Sequence, residues 1–213
     1  MKGIVLLGGE PYQGEISTEN AFVVACDLGY QDALNRGIVP DLTVGDFDSL
    51  GFVPPNAKTY PVEKNATDGE IGVTEIFNRK KDLGITEIEV YNGGGGREDH
   101  FLGVLQLIIF ALNRDLGLTI YTNCCKIYGR KGSFSAKTVK GRTISLVPFS
   151  GEVHIVNSRG LKYPASGVTL RQGETRGISN VALNDEFSLE FTGGPLLVFE
   201  VTGERSVYDD CLR

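Results

Sequence analysis

The sequence predicts a parallel α/β domain followed by an all-β domain. In the first part of the chain, short continuous apolar runs alternate with longer segments of helical period. Continuous apolar runs are typical of strands that are buried on both faces of a parallel sheet. From about Ser133 the period changes to two, which favours antiparallel strands, and no segment requires a helix. We therefore expect an α/β domain over residues 1–130 and a β-sandwich over residues 131–213.

Five strands and two helices are predicted in the first domain. Thr67 and Glu70 have the spacing of a capping box, which predicts a helix that begins at this point and ends near Gly84. A second helix is expected from Glu98 toward Gly117. Its apolar residues occupy most faces, so we expect it to pack deep in the domain. The strands are expected at residues 3–7, 21–26, 42–44, 87–91 and 118–122.

The second domain is predicted to consist of strands separated by glycines. Glycines recur between the alternating segments at roughly the spacing of an antiparallel sandwich. The strands are expected at residues 143–147, 152–157, 168–171, 187–191 and 196–201.

Composition excludes several classes of protein. The 213 residues carry a formal net charge of −6, which gives no electrostatic support for nucleic-acid binding. The two histidines, and four cysteines without a C-x-x-C pair, argue against a zinc centre. No apolar run has the length of a signal peptide or of a spanning helix. We therefore expect a cytoplasmic protein with reduced thiols.

Aspartates stand at three points where predicted strands end or helices begin. The segment GDFDS contributes Asp46 and Asp48, Asp68 opens the capped helix, and the segment GGGGREDH contributes Asp99. Ligands of an open, Rossmann-like parallel sheet bind at the carboxyl ends of the strands. All three segments are therefore expected to converge on one crevice.

The four consecutive glycines at residues 93–96 lead directly into the second predicted helix. Glycine permits close backbone approach, and a helix N-terminus offers free N–H groups to phosphate. Arg97 adds a forked cation that suits phosphate oxygens. Converging aspartates would repel phosphate, at a cost of about 4 kcal/mol per pair of like charges 4 Å apart. A divalent ion between them reverses that sign, and an all-oxygen ligand set indicates Mg²⁺.

Each of these features also has a purely structural interpretation. Asp68 could serve only to support a helix start, and Asp46 and Asp48 could be turn residues. The glycine run could be a flexible surface connection, and His100 could be a helix-start residue. The run is not a dinucleotide-binding fingerprint, because Glu98 occupies the position of the third glycine.

Taken together, the motifs resemble those of a known enzyme family, the thiamine pyrophosphokinases. The resemblance covers nearly the whole chain. In the first half it rests on Gly45-Asp46-Phe47-Asp48-Ser49, Thr67-Asp68 and Gly95-Gly96-Arg97-Glu98-Asp99-His100. In the second half it rests on Gly160-Leu161-Lys162-Tyr163-Pro164, Gly177-Ile178-Ser179-Asn180 and Pro195-Leu196-Leu197-Val198.

The resemblance implies a homodimer whose sites lie between the α/β domain of one subunit and the sandwich of the other. It implies that the catalytic residues, which surround Mg²⁺ and the phosphates of ATP, are Asp46, Asp48, Asp68 and Asp99. It implies that the residues binding the nucleotide and its metal include Asp27, Ser49, Thr67, Gly95, Gly96, Arg97 and His100. It further implies that Ser179 and Asn180 of the partner subunit hold thiamine.

The chain departs from the family pattern at three points. Leu28 stands where the family usually has glycine, Asn65 stands where members often have an acidic residue, and the chain has no tryptophan. The expected reaction is transfer of the pyrophosphoryl group of ATP to thiamine. Two alternatives stay open from the residues alone, namely a γ-phosphoryl kinase acting on a small alcohol and a nucleotide- or thiamine-binding module without turnover.

Overall fold

The computed structural model describes residues 1–203, so Cys211 lies outside the described residues. The chain forms two compact units, Met1–Asn123 and a second that begins at Cys124. This division falls before the boundary that we expected after residue 130. The reason is that the segment Cys125–Arg130 is a strand that pairs with Leu196–Val201 of the second unit.

The N-terminal unit contains a parallel sheet of six strands, as the apolar runs predicted. The five expected strands are present with nearly the expected bounds, and the short strand β4 was not predicted because its residues are mostly exposed. The strands are β1 (Lys2–Leu6), β2 (Ala21–Cys26), β3 (Leu42–Gly45), β4 (Ala57–Thr59), β5 (Glu87–Tyr91) and β6 (Gly117–Tyr121). Their order is β6-β5-β1-β2-β3-β4, and every neighbouring pair is parallel.

Three helices accompany this sheet, namely α1 (Gly29–Asn35), α2 (Asp68–Leu83) and α3 (Glu98–Leu112). The expected limits of α2 are confirmed. Thr67 Oγ1 accepts a hydrogen bond from the backbone N–H of Glu70 at 3.2 Å, and Gly84 ends the helix with a φ of 65°. Such a cap contributes about 1 kcal/mol to helix stability.

The short helix α1 was not predicted, and its first residue explains how it fits. Gly29 lies so close to β1 that an added Cβ would be 2.1 Å from the carbonyl oxygen of Leu6. Only glycine permits this approach. α1 therefore begins directly beside the carboxyl end of β1, next to the turn that carries Asp27.

Our expectation that α3 packs deep in the domain was wrong. Leu107, Ile108 and Ala111 are buried, but Leu102 is 57% exposed. The helix packs against β6 and α2, while Leu102, Gly103 and Gln106 on its remaining surface are exposed. It also ends at Leu112 and does not continue toward Gly117.

The second unit contains two antiparallel sheets, which confirms the expected antiparallel architecture. Their strands are β7 (Cys125–Arg130), β8 (Phe134–Lys137), β9 (Thr143–Pro148), β10 (Glu152–Arg159), β11 (Thr169–Arg171), β12 (Asn180–Val181), β13 (Glu186–Gly193) and β14 (Leu196–Val201). One sheet has the order β12-β9-β14-β7 and the other β11-β10-β13-β8. A single apolar core joins them, with Tyr128 and Val198 from the first sheet and Phe187 and Leu189 from the second.

Within residues 1–203, no helix combines the length and the apolar character that crossing a bilayer requires.

Candidate active site

A cavity of about 700 Å³ opens at the carboxyl ends of the parallel strands. Its wall consists of residues that follow β1, β2 and β5, together with the first turns of α2 and α3. β1 lies between β2 and β5, so the sheet extends from β1 in opposite directions. Open α/β sheets bind their ligands at such a switch point, and this cavity is therefore the candidate site.

The glycine run forms the wall of the cavity that precedes α3. Two backbone hydrogen bonds hold it against the segment after β1, from Gly9 N to Asn92 O and from Glu10 N to Gly94 O, at 3.1 and 3.0 Å. Gly95 has a φ of 72°, and an added Cβ would lie 2.4 Å from Glu10 Cβ. Glycine is thus required here by both conformation and space.

Among residues 1–203, no side chain caps the N-terminus of α3, whose N-cap residue is Arg97. The first N–H groups of a helix have no partner within the helix. Together with the helix dipole, these donors form a site for phosphate that is directly preceded by the glycine run. Arg97 and His100, which the family resemblance assigns to nucleotide binding, also line the cavity.

The GDFDS segment, expected to line the same crevice, is not among the residues of the cavity wall; its two aspartates flank Phe47, which anchors the loop. Phe47 is buried, with a φ of 61°, whereas Asp46 is half-buried and Asp48 is exposed. Asp48 Oδ1 accepts a hydrogen bond from Ser49 Oγ at 3.0 Å. A non-glycine residue in the left-handed region costs about 1–3 kcal/mol, and such strain clusters at functional sites.

The carboxylates of Asp27, Asp46 and Asp48 form one cluster. The backbone N–H of Asp27 donates to the carbonyl of Val44 at 2.9 Å, which brings the ends of β2 and β3 together. One carboxylate oxygen from each of the three aspartates lies within 4.8 Å of the others. This separation allows all three oxygens to contact one cation.

The surroundings of Asp27 fit a bound cation. Its Oδ1 atom is buried and has no hydrogen-bond partner within the described residues, and burial raises the pKa of this carboxyl. Buried polar atoms normally have a partner, so an orphaned carboxylate oxygen beside two other carboxylates points to a ligand. An all-oxygen set of this kind suits Mg²⁺ better than zinc.

Asp68 is connected to this group through Lys64, which the sequence analysis had not identified. Lys64 Nζ lies 2.9 Å from Asp46 Oδ2 and 2.9 Å from Asp68 Oδ1. The hydrogen bond from Lys64 lowers the pKa of Asp46. The sequence signal for this residue was its i,i+4 spacing to Asp68, which is common for surface pairs and therefore weak evidence of a functional role.

Asp99 does not lie in the same group as the other predicted metal ligands. Arg97 Nη2 is 2.6 Å from Asp99 Oδ2, and both side chains are more than half exposed. Hydrogen bonds from Arg97 lower the pKa of Asp99 to about 2. Because Arg97 is two residues away at the same helix start, Asp99 pairs with it and not with the aspartates after β2 and β3.

In the second unit, the two predicted thiamine-binding residues differ in the exposure of their side chains. Ser179 is exposed, has a φ of 62°, and donates its backbone N–H to Ser145 Oγ at 3.0 Å. Asn180 is buried, and its side chain hydrogen-bonds both the N–H and the carbonyl of Tyr163, at 3.0 and 2.7 Å. Asn180 therefore holds the segment at Tyr163 in place, and Ser179 is the one with an accessible side chain.

Comparisons with known proteins match both units to one family. The family model described as "Thiamin pyrophosphokinase, catalytic domain" matches residues 14–120. The model described as "Thiamin pyrophosphokinase, vitamin B1 binding domain" matches residues 133–196. The thiamine pyrophosphokinase of Bacillus subtilis (strain 168) is 27% identical over 194 residues, which cover 86% of this chain and 89% of that protein.

Solved structures show the same fold. The thiamine pyrophosphokinase from Bacillus subtilis aligns with a TM-score of 0.80 at 25% identity, covering 94% of this chain and 99% of that one. The thiamin pyrophosphokinase from Geobacillus thermodenitrificans gives a TM-score of 0.79 at 22% identity, covering 96% and 99%. The enzyme from Candida albicans gives 0.76 at 18% identity, covering 94% and 88%.

Proposed function

The chain belongs to the thiamin pyrophosphokinase family, and from this premise we propose that its crevice transfers the β,γ-pyrophosphoryl group of ATP to the hydroxyl of thiamine. The products are thiamine diphosphate and AMP. The main structural support for this proposal is the grouping of its charged and phosphate-binding features at one edge of the sheet. Three carboxylates that can share one cation, those of Asp27, Asp46 and Asp48, lie at the carboxyl edge of a sheet that also presents a glycine loop and an uncapped helix N-terminus.

The clustered carboxylates support the proposal that a divalent cation binds together with the nucleotide. The residues that would hold Mg²⁺ are Asp27, Asp46 and Asp48, with Asp68 and Asp99 as further carboxylates for the metal–nucleotide complex. When bound, Mg²⁺ neutralises the charge of the phosphate oxygens and so favours attack at phosphorus. The glycine loop and the N–H groups of α3 bind phosphate oxygens at the other side of the cavity.

The reaction exchanges one P–O bond for another. The hydroxyl oxygen of thiamine bonds to the β-phosphorus while the bond from that phosphorus to the α,β-bridging oxygen breaks, and this oxygen leaves with AMP. The hydroxyl proton passes to a carboxylate, for which Asp68 and Asp99 are both candidates. The enzyme contributes mainly by positioning the two substrates and by stabilising developing charge on oxygen, with Arg97 and backbone N–H groups as donors.

We further propose that the enzyme is a cytoplasmic homodimer in which Ser179 of the partner subunit contacts thiamine. The motivation is that the family's vitamin B1 binding model matches residues 133–196, whereas the phosphate-binding features all lie in the first unit. Ser179 is exposed. Its backbone N–H, and not its hydroxyl, makes the hydrogen bond to Ser145 Oγ, so the hydroxyl is available to a ligand.

Complementation between two impaired variants tests whether each active site is built from both subunits. Asp46→Asn removes a metal ligand, and Ser179→Gly removes a hydroxyl while tolerating the positive φ. We expect each variant alone to be impaired, and an equal mixture to recover about a quarter of wild-type activity. Random pairing makes half the dimers mixed, and each mixed dimer has one intact site of two. If mixed dimers form, as shown by mass spectrometry, and no activity returns, the shared site is refuted.

Chromatography of the nucleotide products tests the reaction itself. We expect AMP to appear with thiamine diphosphate in equal amounts, only when ATP, Mg²⁺ and thiamine are all present. ADP with thiamine monophosphate would instead identify a γ-phosphoryl kinase. If no divalent ion supports a thiamine-dependent product, the chain is a binding module.

A further inference from the structure

Lys64 occupies a central position among the carboxylates of the site. Its Nζ atom is 2.9 Å from both Asp46 Oδ2 and Asp68 Oδ1, and its side chain is only 13% exposed. Asp46 follows β3 and Asp68 opens α2, so Lys64 connects two separate elements. Within residues 1–203, the ion pairs of Asp46 and Asp68 are made with Lys64 alone.

Support of the helix does not explain this lysine. Lys64 precedes Thr67, the N-cap residue of α2, and therefore lies at the positive end of the helix dipole. A cation is disfavoured at that end. Thr67 already caps the helix, and Asp68 and Glu70 supply the acidic side chains that its first turn favours. The interaction that holds Lys64 in this place is thus its pairing with the two aspartates.

Without Lys64, four carboxylates would lie near one another, and no other cation of the described residues forms an ion pair with them. Asp27, Asp46 and Asp48 are within ligand distance of one another, and Asp68 shares Lys64 with Asp46. Mutual repulsion would then turn these side chains apart. The lysine ammonium is a compact charge with three donors, so it can hold two carboxylates at a fixed separation.

We propose that Lys64 is a positioning residue for pyrophosphoryl transfer, acting through Asp46 and Asp68. This inference rests on the function proposed above. Before the metal binds, Lys64 keeps the carboxylate of Asp46 close to that of Asp68, which lines the cavity. Its charge also opposes a divalent ion at the same oxygens, which keeps metal binding weak until the phosphates of the nucleotide add their negative charge.

This role predicts two opposite effects of one substitution. In Lys64→Met, Mg²⁺ alone should bind about tenfold more tightly, because loss of the ammonium repulsion next to Asp46 outweighs the looser orientation of the carboxylates, which the ion itself draws together. Turnover with ATP and thiamine should fall by at least about tenfold with little change in the KM for thiamine, because the carboxylates of Asp46 and Asp68 are no longer held at a fixed separation. Lys64→Arg keeps the charge and should lie between the wild type and Lys64→Met in both measurements.

Calorimetric titration with Mg²⁺ alone, combined with steady-state kinetics, tests the proposal. The matched control is Lys2→Met, because Lys2 is also a largely buried lysine paired with a carboxylate, that of Glu89, but lies at the opposite end of β1. Tighter Mg²⁺ binding together with lower turnover in Lys64→Met, and neither effect in Lys2→Met, supports a positioning role. Unchanged turnover, or Mg²⁺ binding that is unchanged or weaker, overturns it. If the wild type forms no AMP, the proposed function fails, but the Mg²⁺ titration still reports on Lys64.

Discussion

Asp46→Asn is expected to reduce turnover by at least about 100-fold, the effect of removing one major electrostatic contact from an active site. Asp46 supplies an oxygen to the carboxylate group with Asp27 and Asp48, and it also accepts the ion pair from Lys64. The amide has nearly the same shape but no charge, so it weakens the metal site without opening a cavity. We expect the fold to survive, because the amide keeps the shape of the side chain and Lys64 still pairs with Asp68.

Steady-state kinetics and thermal melting measured on the same preparation distinguish these effects. Asp82→Asn is the matched control, since Asp82 is an exposed aspartate in the last turn of α2, at the opposite end of that helix from Asp68. It should retain wild-type turnover. Near-normal turnover in Asp46→Asn would show that this carboxylate does not hold the metal.

Gly95→Ala is expected to lower kcat/KM for ATP by about 10- to 100-fold through loss of the backbone phosphate contacts. The added Cβ would lie 2.4 Å from Glu10 Cβ and 2.7 Å from Glu10 Oε2, so the loop has to shift. A shift of the loop moves the N–H groups that precede α3 away from the phosphates. The KM for thiamine should change little, because this loop is assigned to the nucleotide.

The cost of the positive φ must be separated from the shift of the loop. Gly37 has a φ of 69°, close to the 72° of Gly95, but an added Cβ there would meet no atom within 4 Å. Gly37→Ala should therefore lose about 1 kcal/mol or more of stability from the positive φ alone, while its kcat/KM for ATP stays at the wild-type value. Equal kinetic losses in both alanine variants would mean that backbone strain, and not the phosphate loop, explains the effect of Gly95→Ala.

The sequence predicted the fold well wherever local signals were strong. The capping box at Thr67 and the continuous apolar runs of β1, β2 and β5 identified their elements with nearly correct bounds. The elements that were missed, such as α1 and β4, are short and depend on contacts with distant strands. The burial of α3 was overestimated because its apolar composition does not reveal that only part of its surface packs against β6 and α2.

The candidate site was predicted less completely, for a physical reason. Motifs placed Asp46, Asp48 and Asp68 at the correct edge of the sheet, but they could not show which carboxylates share a cation. The structure joins Asp27 to Asp46 and Asp48 through the backbone bond between β2 and β3, and it pairs Asp99 with Arg97. Lys64 went unnoticed because its significance depends on a contact with Asp46, 18 residues earlier in the chain.

The most direct test of the whole account is the fate of the β-phosphorus of ATP. The reaction should be run with ATP labelled at this position, with thiamine and Mg²⁺, and the thiamine products should be separated by chromatography. We predict that the label appears in thiamine diphosphate while the nucleotide product is unlabelled AMP. Label that stays in the nucleotide, as ADP, would contradict pyrophosphoryl transfer and with it the central claim.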